Sequence, residues 1–191
     1  MTVASTGKLA AQIRQGAPFD IFLAADQRRP RELASENLLL ASSVRTYARG
    51  ELVLWSPGSG VNLQPSQLAR GMVTPLALAN ARTAPYGVAA EAVLARLQLP
   101  ASLRLVRAEN VAQSYHFARS GAAAAAFVAL SQVQDQGGSL WRIPSADYPP
   151  IVQQGGRLND RADTRAFYQY LFSAPARALI RQAGYQVNDA D

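Results

Sequence analysis

Apolar positions along the chain follow two spacings, a helical one and shorter runs typical of buried strands. The helical spacing predicts helices over residues 7–15, 29–38, 65–70, 86–97, 111–120, 165–172 and 174–182. The shorter runs predict strands over residues 19–24, 47–55, 76–79, 103–107 and 123–129. The last of these is ambiguous by pattern, and the order of elements favours a strand. Strands that alternate with helices predict an α/β fold with largely parallel sheets.

Two extended segments divide the chain into two predicted lobes. The run 47–55 is the longest predicted strand, and a second extended stretch, 148–153, comes much later in the chain. These segments can carry the chain out of one lobe and back again. We therefore predict a discontinuous lobe of residues 1–48 with 154–191, an inserted lobe of residues 49–153, and a cleft between them.

Composition excludes several classes of protein. Hydrophobic residues make up 49% of the chain and charged residues 17%, which argues against a disordered chain. The absence of cysteine excludes disulfide scaffolds, cysteine zinc sites and thiol nucleophiles. His116 is the single histidine, so multi-histidine metal sites are excluded and a serine triad would have one base to choose from. We expect no catalytic residue and no site for a metal cation.

The chain is basic, with 19 lysines and arginines against 13 acidic residues and a net charge of +6. Lys8 is the single lysine, and Arg28, Arg29 and Arg31 form the only close group of arginines. A nucleic-acid interface would need arginines clustered with aromatic residues. The scattered charge favours solubility and a mild attraction of anions, and we expect neither a nucleic-acid partner nor insertion into a membrane.

Three predicted helix starts share one pattern, a small or polar residue directly before the helix. They are Ser5-Thr6-Gly7, Ala84-Pro85-Tyr86-Gly87 and Glu109-Asn110-Val111, where Asn110 is a predicted N-cap. The start of a helix offers unpaired N–H groups and the positive end of the helix dipole, so it can bind an anion without a cationic side chain. Each start also serves simply to begin a helix, and convergence of the three cannot be deduced from their spacing.

Six blocks of the sequence resemble, in the same order, the periplasmic molybdate-binding proteins of ABC importers. The blocks are residues 5–13, 16–27, 79–87, 109–115, 127–132 and 148–151. The resemblance implies a two-lobed α/β fold of the periplasmic-binding-protein-like type II class. It also implies a periplasmic, non-catalytic receptor that needs no cofactor, captures molybdate or tungstate between its lobes and delivers it to an ABC permease. The alternatives are a receptor for another oxyanion such as sulfate, or a degenerate domain that binds no oxyanion and acts through protein contacts.

The resemblance also implies which residues bind the oxyanion. The family uses hydroxyl and backbone N–H donors, and its ligand positions fall on Thr6, with Ser5 as a close alternate, and on Tyr86 and Val111. Some members place a tyrosine at the position of Ala129, so that contact is absent here and Tyr86 is the expected aromatic contributor.

The chain departs from the family pattern at its beginning. Family members have a strand, a loop with a serine or threonine ligand, a helix and a second strand ahead of the block that starts at Ser5, whereas this chain begins at Met1. We therefore expect the first strand-helix-strand of lobe 1 and the signal peptide to be missing. The expected consequences are exposed apolar surface and weakened oxyanion binding. The alternatives for the origin of this departure are a truncated reading frame, an engineered fragment, or a natural fragment that dimerises to cover the gap.

Overall fold

The computed structural model describes residues 1–187 of the chain, which form two compact units. Unit 1 consists of Met1–Gly50 together with the described residues from Ile151 onwards, and unit 2 of Glu51–Pro150. The last four residues of the expected discontinuous lobe, 188–191, lie outside the described residues.

The helices and strands lie close to the predicted positions. The helices are α1 (Thr6–Arg14), α2 (Arg28–Ser35), α3 (Pro65–Ala69), α4 (Pro85–Ala95), α5 (Val111–Arg119), α6 (Leu130–Val133), α7 (Ala162–Tyr170) and α8 (Ala174–Gln182). The strands are β1 (Ile21–Leu23), β2 (Arg45–Gly50), β3 (Leu52–Ser56), β4 (Leu76–Ala79), β5 (Leu105–Ala108), β6 (Ala125–Ala129), β7 (Ser139–Arg142) and β8 (Ile151–Arg157).

The predicted single strand over residues 47–55 is wrong, because the run contains two strands that belong to different sheets. Strand β2 pairs with β8 in unit 1, and β3 pairs with β6 and β7 in unit 2. The break falls at Glu51, between the two strands. A continuous extended run carries no signal for a change of pairing partner, so the sequence pattern merged the two strands.

Unit 1 contains a three-stranded sheet in the order β1-β8-β2, and both pairings are antiparallel. The expectation of largely parallel sheets is therefore wrong for this unit. The chain leaves the unit along β2 and returns along β8 in the opposite direction, so the two strands run antiparallel. One apolar cluster joins α1 and α2 to β1, and its buried members are Ala10, Ile13, Phe22, Ala24, Leu33 and Leu39.

Helix α7 is anchored to the unit 1 sheet through Tyr168. This side chain is 4% exposed, and its hydroxyl lies 2.8 Å from the Ser43 carbonyl oxygen and 2.7 Å from the Gly155 carbonyl oxygen. A Cβ atom added at Gly155 would meet side-chain atoms of both Leu23 and Tyr168, which places these two side chains on the same side of the sheet.

Unit 2 contains a five-stranded sheet in the order β5-β4-β6-β3-β7. Strand β4 runs parallel to β5 and β6, whereas β3 runs antiparallel to β6 and β7. Alternate residues of β3 and β6, with Ala77 of β4, form a buried cluster with α5. In this cluster Trp55 stacks on Tyr115 with ring centroids 5.2 Å apart. The predicted strand at 123–129 is confirmed as β6, while α6 and β7 were not predicted.

Among residues 1–187, none of the helices combines the length and the apolar character that a membrane crossing requires.

Candidate functional site

Ser5 and Thr6 lie together at the start of α1, as the sequence predicts. Ser5 is the extended N-cap residue, and its carbonyl oxygen accepts the first helical hydrogen bond from the Leu9 amide at 3.1 Å. The amides of Thr6 and Gly7 therefore precede the first intrahelical bond and have no acceptor within the helix. The Ser5 side chain does not cap the helix, and its buried Oγ has no hydrogen-bond partner within residues 1–187.

The Thr6 side chain is positioned by the segment that follows β1. Thr6 is 5% exposed, and its Oγ1 accepts a hydrogen bond from the Ala25 amide at 3.1 Å. A hydroxyl has one proton to donate and two lone pairs to accept with. Because Oγ1 accepts from Ala25, its proton stays available for donation to an anion.

The segment at Ala24 and Ala25 is itself held by β8 and β2. The Ala24 amide donates to the Gln154 carbonyl oxygen at 2.9 Å. The Tyr47 hydroxyl lies 3.2 Å from the Ala24 carbonyl oxygen and 2.9 Å from Oε1 of Gln153. Burial raises the pKa of Tyr47 well above its usual range, so the hydroxyl stays neutral. Sequence reasoning missed this support, since a tyrosine inside a strand carries no signal for it.

Tyr86 and Val111 lie at one edge of the sheet in unit 2. Strands β4, β5 and β6 are parallel, so their carboxyl ends meet at the same edge, and α4, α5 and α6 begin directly beyond them. In open α/β sheets, ligands bind outside the carboxyl ends of the strands. The first turns of α4 and α5, which contain Tyr86 and Val111, thus occupy the ligand-binding position of this architecture.

Hydrogen bonds join the two loops that lead into α4 and α5. The Asn80 amide donates to the Ala108 carbonyl oxygen at 2.7 Å, and Thr83 Oγ1 lies 3.4 Å from the Glu109 carbonyl oxygen. The Ala84 amide donates to the Asn80 carbonyl oxygen at 2.9 Å, which closes the turn before α4. The two helix starts are therefore fixed relative to each other.

Gly87 allows α4 to begin directly against the end of β4. A Cβ atom at this position would lie 2.4 Å from the Ala79 carbonyl oxygen and 2.7 Å from the Ala81 amide nitrogen. Any side chain here would push the first turn of α4 away from the strand. Tyr86, the preceding residue, is itself 5% exposed.

The start of α5 confirms the N-cap that the sequence predicts. Asn110 has an extended backbone, and its side-chain oxygen accepts from the Gln113 amide at 2.9 Å. The cap occupies the amide of the third helical residue and leaves the Val111 amide without an acceptor in the described part of the chain. This amide is thus a preformed donor at the positive end of the helix dipole.

Ala129 lies at the same sheet edge, as the N-cap residue of α6. Its amide donates to Oε1 of Gln132 at 3.1 Å, and the residue is 3% exposed. Its methyl group supplies no donor, so the tyrosine contact that the resemblance associates with this position has no counterpart in its side chain.

The four predicted ligand residues thus form two pairs, Ser5 with Thr6 in unit 1 and Tyr86 with Val111 in unit 2. The first pair has side-chain hydroxyls at the start of α1, and the second pair has backbone amides in the first turns of α4 and α5. Residues 1–187 contain no group of three or more histidine, aspartate and glutamate side chains that could hold a metal ion.

Comparisons with known proteins give one consistent family. The profile of the bacterial extracellular solute-binding proteins matches residues 1–186. The molybdate-binding protein ModA of Azotobacter vinelandii is 41% identical over 190 residues, which cover 94% of this chain and 75% of that protein. The molybdate-binding protein ModA of Rhodobacter capsulatus is 37% identical over 186 residues, which cover 94% of this chain and 74% of that protein.

A solved structure shows the same similarity in three dimensions. The periplasmic molybdate-binding protein of Azotobacter vinelandii superposes with a TM-score of 0.92 at 35% sequence identity. The superposition covers 98% of this chain and 87% of that structure.

Proposed function

This chain belongs to the bacterial extracellular solute-binding proteins, with their α/β periplasmic-binding-protein-like fold, and we propose that it is a receptor that captures molybdate for an ABC transporter. The observation that carries the proposal is the similarity to two molybdate-binding proteins at 41% and 37% identity, which extends over 94% of the chain. Members of this family are transport receptors rather than enzymes, and the bound oxyanion is their cargo rather than a cofactor.

The donors at the helix starts support an oxyanion ligand. We propose that the hydroxyl of Thr6, with that of Ser5, and the amides of Tyr86 and Val111 donate hydrogen bonds to the oxygens of the anion. These groups are neutral, so they can stay buried without the cost of burying a charge. They also need neither cysteine nor histidine, which agrees with a chain that has no cysteine and one histidine.

Capture by closure follows from the division of these donors between two units. A ligand shifts a conformational equilibrium only if it binds one state better than the other. An anion that accepts hydrogen bonds from Thr6 and from Val111 together would favour a closed state, in which both donors reach it. We propose that this closed state is the form that the membrane permease recognises, and that the receptor works in the periplasm.

Selectivity among oxyanions rests on size rather than on charge in this proposal. Molybdate, tungstate and sulfate are all dianions, so a simple charge preference cannot separate them. Donors held by the backbone at fixed positions favour the longer metal–oxygen bonds of molybdate and tungstate over the shorter bonds of sulfate. The proposal therefore includes tungstate as a second ligand.

A thermal-unfolding panel with molybdate, tungstate, sulfate and phosphate tests this function. A ligand that binds the folded state alone stabilises it by about 2.7 kcal/mol at a hundredfold excess over its dissociation constant. We expect molybdate and tungstate to raise the melting temperature, and sulfate and phosphate to leave it unchanged. A shift with sulfate alone would assign the chain to another oxyanion, and no shift with any of the four would favour a domain that acts through protein contacts.

Transport is tested separately from binding. The molybdate-loaded chain should stimulate ATP hydrolysis by the cognate ABC transporter in liposomes, whereas the unloaded chain should stimulate it weakly. Tight binding of molybdate without any stimulation would contradict the transport role and leave the binding role intact.

A further inference from the structure

Tyr47 is the extra residue of a β-bulge in strand β2. Thr46 pairs with Gln154 of β8, and Ala48 pairs with Gln153, so three consecutive residues of β2 lie opposite two of β8. Tyr47, between them, is left without a pairing partner on β8. A bulge re-aims a side chain relative to the regular alternation of a strand, and bulges are frequent beside functional sites. The bulge thus indicates that the Tyr47 side chain has a role other than sheet pairing.

The Tyr47 hydroxyl contacts the peptide group between Ala24 and Ala25. It lies 3.2 Å from the Ala24 carbonyl oxygen and 2.9 Å from Oε1 of Gln153, and both of these atoms are acceptors. The Ala25 amide, at the other end of the same peptide group, donates to Thr6 Oγ1 at 3.1 Å. A trans peptide is planar, and its C=O and N–H groups point in opposite directions. Tyr47 and Thr6 therefore hold one rigid group from its two sides.

Strand β8 holds the same segment from the residues opposite the bulge. The Ala24 amide donates to the Gln154 carbonyl oxygen at 2.9 Å. The Gln154 side chain turns to β2, where its Nε2 donates to Thr46 Oγ1 at 3.1 Å. Both backbone groups of Ala24 are thus bonded to the part of the sheet that contains the bulge.

The bonds between Tyr47 and Thr6 form a chain in which all donors point in the same direction. The Tyr47 hydroxyl can donate to the Ala24 carbonyl, the Ala25 amide donates to Thr6 Oγ1, and the Thr6 proton is left for an acceptor beyond. Burial raises the pKa of Tyr47 above its usual range, so its hydroxyl keeps the proton that it donates. Bonds in such a chain strengthen one another, by about 10 to 30% each.

We propose that Tyr47 is a positioning residue of the oxyanion site, which acts through the Ala24–Ala25 peptide on the Thr6 hydroxyl. The inference rests on the proposed function, in which Thr6 donates to the bound anion. In this role Tyr47 needs no contact with the anion. It fixes the peptide that orients Thr6 Oγ1, and it polarises that peptide so that the Thr6 hydroxyl becomes a stronger donor.

Titration calorimetry with molybdate on Tyr47→Phe tests this role. The variant keeps the ring and loses the hydroxyl, and we expect its molybdate dissociation constant to rise about 2- to 10-fold. Tyr168→Phe is the matched control, because the Tyr168 hydroxyl also bonds two acceptors within unit 1, the carbonyl oxygens of Ser43 and Gly155. We expect this control to bind molybdate like the parent chain. An unchanged affinity of Tyr47→Phe, or an equal loss in both variants, would overturn the proposal.

A double-mutant cycle separates positioning from a general structural effect. If Tyr47 acts through the Thr6 hydroxyl, Tyr47→Phe should change the affinity little once Thr6→Val has removed that hydroxyl. A structural disturbance of unit 1 would instead weaken binding by the same factor in both backgrounds. Equal factors in the two backgrounds would therefore contradict a role through Thr6.

The Ala25 amide gives a readout that needs no ligand. Without the Tyr47 hydroxyl the amide is a weaker donor, so its proton resonance should move upfield and its hydrogen exchange should become about 2- to 10-fold faster. Tyr168→Phe should leave both unchanged. A parent chain that binds none of the four oxyanions would overturn the proposed function and, with it, the role of Tyr47 in binding. If the parent chain binds molybdate but the Ala25 amide does not respond to Tyr47→Phe, this inference alone is overturned.

Discussion

The Thr6 hydroxyl accepts a hydrogen bond from the Ala25 amide at 3.1 Å, which ties the first residue of α1 to the segment just beyond β1. The contact fixes the rotamer of a buried side chain and leaves the hydroxyl proton as the group that can be donated elsewhere. A serine or threonine at a helix start is common, so the sequence does not indicate that this side chain is hydrogen-bonded to the segment after β1. Because this hydrogen bond fixes the Thr6 side chain, a substitution at Thr6 is the most direct test of anion binding.

Thr6→Val should weaken molybdate binding by about 5- to 150-fold, because losing a donor to a buried charged ligand costs about 1 to 3 kcal/mol. Thr6→Ser keeps the hydroxyl and should restore most of the affinity. Titration calorimetry measures both variants, and Thr2→Val is the control because Thr2 is exposed. Equal affinity of the Thr6→Val variant and the parent chain would remove Thr6 from the site.

Gly87→Ala should destabilise unit 2 by about 1 to 3 kcal/mol, since the new Cβ would lie 2.4 Å from the Ala79 carbonyl oxygen. Backbone atoms cannot move aside cheaply, so α4 must shift and carry the Tyr86 amide with it. Urea unfolding measures the loss of stability, and calorimetry should show weaker anion binding. Gly137→Ala is the matched control, because a Cβ there meets no atom of the described residues within 4 Å. A loss of the same size in both variants would contradict this account of Gly87.

Alkaline pH should destabilise unit 1 through Tyr168. Burial raises the pKa of this hydroxyl to about 12, above the usual value of about 10. The folded state therefore holds the proton more tightly than the unfolded state. Its contribution to stability is complete below about pH 10 and is lost as the pH rises towards 12.

Tyr168→Phe isolates this contribution. The variant should be less stable than the parent by about 1 to 3 kcal/mol at pH 8, because the carbonyl oxygens of Ser43 and Gly155 lose their hydroxyl partner. The difference should shrink at pH 11, where the parent chain loses the stabilisation that the variant never had. Urea unfolding at both pH values measures it, with the exposed Tyr170→Phe as control. A difference that is the same at both pH values would show that folding does not raise the pKa of Tyr168.

The sequence predicts elements well where a local signal marks their ends. Strand β4 and helix α8 have the predicted bounds, and the Asn110 N-cap is confirmed, because side-chain capping and apolar runs are local properties. The split of residues 47–55 at Glu51 was missed, since the partner strands β6, β7 and β8 come far later in the chain. Strand β7 was missed because its pairing partner, β3, lies far earlier in the chain.

The candidate site, too, could be predicted from the sequence only where its signals are local. Helix starts at Ser5, Pro85 and Val111 can be located from local pattern, and the parallel order of β4, β5 and β6 then explains why two of them share a sheet edge. The hydrogen bonds from Ala25 to Thr6 and from Asn80 to Ala108 join residues of separate elements. Contacts of this kind depend on how the elements pack, which periodicity does not encode.

Asn110 separates the capping of α5 from the binding of an anion by the same turn. The Asn110 side chain caps the helix through the Gln113 amide, and the adjacent Val111 amide is the proposed donor. Asn110→Ala should cost about 0.5 to 2 kcal/mol of stability, because it removes the cap.

Asn110→Asp retains the cap and should leave stability close to that of the parent chain. It also places a negative charge beside the Val111 amide, so it should weaken the binding of a dianion strongly. Asn110→Ser, which caps without a charge, is the control and should bind like the parent. Calorimetry with molybdate and urea unfolding on the three variants give the two readouts. If Asn110→Asp binds molybdate as tightly as Asn110→Ser, the anion does not lie at the start of α5, and Val111 is not a ligand.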